Sequence, residues 1–116
     1  MSVVMIIYYK DAFLKHRLVP ISGQTIFTDF WLPLTSKLEL ELISRFASAG
    51  LHVEPGSEIS RQLIHEMETL RAYISEQQLA SRSEVYAVIL ERVENVLAEL
   101  HAVEENPARV EHVGIV

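Results

Sequence analysis

"SEISRQLIHEMETLRAYISEQQLASRSEVYAVILERVENVLAELHAVEENP", residues Ser57 to Pro107, decides the fold. Its first half sets Ile59, Leu63, Met67, Leu70 and Ile74 at spacings of 4, 4, 3 and 4. That stripe is the mark of a one-sided amphipathic helix, and Ser57 stands where a capping oxygen belongs. "EQQLASRSE" interrupts the stripe, and Ser81 followed by Glu84 has the form of a capping box. Val85, Ile89, Val93, Val96, Leu100 and Val103 then repeat the pattern at spacings of 4, 4, 3, 4 and 3, up to Pro107. Two helices with matched apolar faces and a short break between them predict an antiparallel hairpin.

Upstream, "DFWLPLTSKLELELISRF" (Asp29 to Phe46) predicts a further helix. Thr28 or Asp29 caps it, and Pro33 falls in the first turn, where its missing N–H costs nothing. Leu34, Leu38, Leu42 and Phe46 recur every fourth residue, joined by Leu40 and Ile43, and Gly50 is placed as a C-terminal cap. Phe30 and Trp31 are neighbours, so on a helix they point ~100° apart. One of the two belongs in the core and the other at its margin. "LHVEPGSE" reads as an extended passage closed by a Pro-Gly turn.

At the ends, "SVVMIIYY" (Ser2 to Tyr9) is continuously apolar and predicts a central strand buried on both faces. "KDAFLKHRLVPISGQ" reads as an irregular connection, and "QTIF" (Gln24 to Phe27) as a short strand. "RVEHVGIV" (Arg109 to Val116) alternates as a last strand. Terminal strands paired side by side, covered on one face by the hairpin and the further helix, make a single α+β domain over residues 1–116.

Composition limits the function. The chain has 116 residues, 49% hydrophobic and 22% charged, and no cysteine. Disulfide frameworks, thiolate nucleophiles and Cys-based metal sites are therefore excluded. The first residues lack the basic segment and cleavage site of a secretion signal, and the apolar run is too short to span a bilayer as helix, so a cytoplasmic location is expected. Net charge is −6, and residues 39–116 hold fourteen carboxylates against six arginines. Such a surface repels phosphate backbones, so nucleic acid is not an expected partner and a basic protein is.

No chemistry-bearing motif emerges. The five histidines lack a second histidine at helical ligand spacing, although His65 and Glu68 stand three apart. There is no Gly-x-Ser-x-Gly elbow and no glycine-rich phosphate loop. Glu66/Glu68 and Glu104/Glu105 read as solvated helix faces. Neither a catalytic residue, a metal nor a cofactor is expected. Opposite the apolar stripe of the last helix lie Glu91, Glu94, His101 and Glu105, with Glu68 on the outward side of its partner helix. Together with Trp31 as an aromatic anchor, these residues are the candidate partner-binding set.

The order of parts is also informative: an apolar first strand, a Phe30-Trp31-Leu32-Pro33-Leu34 helix, a Gly50-Leu51-x-Val53-x-Pro55 passage, a glutamate- and leucine-rich hairpin and a short last strand. That layout resembles small, acidic, cysteine-free bacterial proteins, among them immunity proteins of polymorphic or contact-dependent toxin systems. The resemblance implies a protein that binds one cognate toxin, often by covering its active site with acidic side chains. The competing expectation is a homo-oligomeric structural or adaptor module, a homodimer for example, that uses the helical hairpin as its interface.

Overall fold

The structure, a computed structural model, describes residues 2–116. Its elements run β1 (Ser2–Tyr9), β2 (Arg17–Gly23), α1 (Gln24–Ile26), a π-helical turn (Phe27–Trp31), α2 (Leu32–Leu38), α3 (Glu41–Ser44), β3 (Leu51–Val53), α4 (Glu58–Ser81), α5 (Glu84–Glu105), a 3-10 turn (Pro107–Arg109) and β4 (Val110–Ile115). The strands form one antiparallel sheet in the order β2-β1-β4-β3. The first and last strands lie side by side, with Met5 opposite Ile115 and Ile7 opposite Val113. The α+β architecture expected from the sequence is present.

The hairpin forms as its spacing dictates. Leu63, Met67, Leu70 and Ile74 of α4 are buried, as are Ile89, Val93 and Leu100 of α5. Each such side chain contributes roughly 1.5–3 kcal/mol when fully withdrawn from water. Two details differ. Ile59 is 42% exposed, and Ser60 takes the inward position in the first turn. The break between the helices is tighter than expected: α4 continues to Ser81, Arg82 turns left-handed at φ 53°, and Ser83 caps α5 by accepting from the Tyr86 N–H. Ser81 instead donates its hydroxyl to the Gln77 carbonyl.

The stretch before the hairpin departs further. "QTIF" is helical rather than extended, and helical conformation already begins at Gln24, so Thr28 and Asp29 lie inside it and cap nothing. The helix widens into a π turn at Phe27–Trp31, closed by the Leu32 N–H on the Phe27 carbonyl. Pro33 follows at once. Proline lacks an N–H and crowds the carbonyl four residues back, and the wider turn carries the chain past it. Continuity ends at Leu38, where Glu39 is left-handed, and α3 is a separate short helix. Leu34, Leu42 and Phe46 are nevertheless buried, so the periodicity located the core without the helix being unbroken.

The supposed irregular connection contains β2, whose Val19 and Ile21 are buried. It is an edge strand, the place where a proline such as Pro20 is tolerated in a sheet. β1 is central but not buried on both faces. Val3, Met5 and Ile7 enter the core, whereas Val4, Ile6 and Tyr8 point to the other side and remain partly exposed. The helices cover only one face of the sheet.

Candidate protein-binding surfaces

The acidic residues on the back of the hairpin are outcomes of its inner packing. With Ile89, Val93 and Leu100 turned inward, helical geometry sends Glu91, Glu94, His101 and Glu105 outward, and all four are exposed. Glu68 of α4 is exposed as well, and the antiparallel crossing brings its Oε1 to 3.5 Å from His101 Nε2. Among the described residues, Glu91, Glu94 and Glu105 enter no ion pair.

Other carboxylates on these helices are occupied internally. Glu66 is buried and accepts from the backbone N–H groups of Leu42 and Ile43 at the start of α3, and from Gln62 Nε2. Glu104 accepts from the Gly56 N–H at 3.0 Å and from the Ser60 hydroxyl. Glu99 pairs with Arg17 of β2 at 2.7 Å. Glu66 and Glu104 are thus not members of a solvated face; they fasten helix starts, a role for which alternate glutamates carry no sequence signal.

Trp31 is no anchor on the surface. It is 1% exposed, with its ring 5.7 Å from that of Phe27 within the core. Phe30, its neighbour, takes the margin, partly buried against the same core.

A second surface escaped the sequence reading. On the uncovered sheet face, Ile6 pairs across to Leu18 on one side and Gly114 on the other. Leu18 and Val116 are largely exposed there. The β1–β2 connection turns at Asp11, whose carboxylate accepts from the Phe13 N–H at 2.9 Å, and Phe13 projects from that turn 97% exposed. Leu14 and His16 gather beside Leu18. Tyr8 is stacked on His112 at 4.3 Å and meets the edge of His16 at 4.4 Å, while His52 stacks on the far side of His112 at 4.5 Å. Uniformly apolar β1 concealed this face, but the alternation of His112 and Gly114 with Val113 and Ile115 in the neighbouring strand was a signal for it.

No group of three or more His, Cys, Asp or Glu side chains among the described residues converges as metal ligands would. None of the described helices is long and apolar enough to cross a membrane. Comparison with known proteins finds no matching family model, no similar curated protein and no similar solved structure.

Proposed function

We propose that the chain is a non-enzymatic protein-binding domain that neutralises a basic partner, in the manner of an inhibitor or immunity protein. The observation that supports this reading is the unspent charge on α5: Glu91, Glu94 and Glu105 are exposed and unpaired within the described residues. Carboxylates so arranged accelerate encounter with a basic surface and disfavour acidic competitors. The test begins with isolation of the native partner and inspection of the genes flanking the coding sequence. Association of that partner with the Glu91→Lys/Glu94→Lys variant is then timed at low and high salt. Slower association at low salt, with thermal stability held, supports the reading; an unchanged rate removes the acidic face from it.

A specific observation favours self-association as a second reading, on a different surface from the one the sequence suggested. The hairpin stripes are spent in the core of the single chain, but Phe13, Leu14 and Leu18 are exposed and lie together at the β1–β2 end of the sheet. Contiguous exposed apolar residues are a mark of interaction sites. Two chains meeting there would keep both acidic helical backs pointing outward. Sedimentation of the protein and of Phe13→Ser/Leu18→Ser separates the readings: a dimer made monomeric by the substitutions supports the second, and a monomeric parent rejects it.

A further inference from the structure

Phe13 is the one aromatic side chain among the described residues that is not at least partly buried. It stands in the connection between β1 and β2, where every residue from Lys10 to Leu18 is exposed. Leu14 and Leu18 lie beside it. Side chains of this size gain most from leaving water, and the folded chain leaves all three facing it. The turn keeps its shape without them. The Asp11 carboxylate accepts from the Phe13 N–H at 2.9 Å, and the Asp11 carbonyl accepts from the Leu14 N–H at 3.1 Å. On the returning arm, the His16 ring meets Tyr8 edge-on at 4.4 Å.

The charges around this tip run against those of the chain. Lys10, Lys15 and Arg109 are exposed and form no ion pair among the described residues. Arg109 belongs to the group because its carbonyl accepts from the Lys10 N–H at 3.0 Å. The neighbouring carboxylates are engaged: Asp11 closes the turn, Glu99 takes Arg17 at 2.7 Å, and Glu111 lies 3.4 Å from His112 Nδ1. A chain of net charge −6 therefore gathers free cations beside its most exposed apolar side chain. Glu91 and Glu94, by contrast, lie on the outer side of the helical layer.

We propose that the β1–β2 turn docks the protein on a bilayer surface carrying anionic headgroups. Phe13 and Leu14 enter the boundary of the acyl chains, while Lys10, Lys15 and Arg109 stay among the headgroup phosphates. No spanning helix is needed for a contact of this kind. A second copy of the chain would meet these cations with like charge, whereas an anionic surface meets them with the opposite one. The docking is independent of the acidic face of α5 and competes with self-association for Phe13.

Because the chain has no cysteine, Ala12→Cys in the turn and Ala72→Cys on α4, both at exposed positions, each carry a single environment-sensitive fluorophore. Each labelled protein is titrated with phosphatidylcholine vesicles, either pure or containing about one third phosphatidylglycerol. The expected result is a saturable blue shift of the label in the turn on the anionic vesicles alone, and none of the label on α4. In the Ala12→Cys background, Lys10→Gln/Lys15→Gln should weaken binding by about thirtyfold, and Phe13→Ser by at least about tenfold. All these changes fall at exposed positions, so thermal unfolding should match the parent. No shift on the anionic vesicles, an equal shift on the neutral ones, or an equal shift of the label on α4 overturns the proposal. Full affinity in Phe13→Ser overturns it too. A parent that sediments as a dimer and is dispersed by Phe13→Ser gives the tip to a second copy, and overturns it as well.

Discussion

The carboxylate of Glu66 lies 3.0 Å from the backbone nitrogen of Leu42 and so fastens the start of one helix from the interior of another. The same group accepts from the Ile43 N–H at 3.2 Å, which supplies the short helix α3 with the cap that Leu40 lacks a side chain to provide. Backbone donors at a helix start need acceptors, and here they are buried away from water. Glu66→Ala should therefore destabilise the fold by about 3 kcal/mol, the cost of stranded buried donors together with lost charge-assisted bonds. Glu66→Gln keeps an acceptor oxygen in place and should cost less. Urea unfolding of the two variants checks the order.

Glu104 performs a related task between α5 and the entry to α4. It accepts from the Gly56 N–H and from Ser60, a side chain that is itself buried. Glu104→Ala should lower stability by about 1–3 kcal/mol, whereas Glu105→Ala, one residue along and exposed, should stay within about 0.5 kcal/mol. Thermal melts of the pair distinguish a fastening carboxylate from a solvated one.

These two glutamates show where a sequence stops being readable. The hairpin was legible because its information is periodic: Leu63, Met67, Leu70 and Ile74 announce an inner face without reference to anything else. Glu66 and Glu104 are defined by partners 24 and 44 residues away, and nothing in their neighbourhood names Leu42 or Ser60. Strand β2 failed for a similar reason. Its Pro20 argues locally against a strand, and only its place at the sheet edge makes the residue acceptable. The acidic candidates Glu91, Glu94, His101 and Glu105 were placed outward correctly, because the inner stripe fixes the outer one. Trp31 was named as a surface anchor and is buried: adjacency required one of Phe30 and Trp31 to turn inward and the other to the margin, which is what is found, but nothing local to the pair says which.

Gly50 tests the junction of the helical layer with the sheet. Its φ is +70°, and a Cβ added there would stand 2.7 Å from the carbonyl oxygen of Ile115. A left-handed conformation costs a residue with a Cβ roughly 1–2 kcal/mol, and the close approach adds a displacement of the β4 backbone, which a flexible side chain could not absorb. Gly50→Ala should lose at least about 2 kcal/mol. Gly56→Ala, at φ +74° with open space around the added carbon, should lose only the conformational part. Equal losses at the two positions would show that the contact with Ile115 contributes nothing.

Lys37 and Tyr73 give the fold a dependence on alkaline pH. The Lys37 ammonium donates to the Tyr73 hydroxyl at 2.7 Å, tying α2 to α4, and lies 5.0 Å from the centre of the ring. The hydrogen bond to Tyr73, reinforced by its charge when ionised, holds the lysine above its ordinary value of 10.5. A group whose pKa is raised on folding binds its proton more tightly in the native state. Its contribution is therefore complete below 10.5 and disappears as pH rises through the higher native value. Both side chains are solvated, so the effect on stability is small and the titration itself is the sensitive measurement. Tyr73→Phe should return the Lys37 side-chain resonances to an ordinary titration curve and flatten the alkaline part of the stability profile. A Lys37 midpoint that does not move in Tyr73→Phe would assign the shift to some other neighbour.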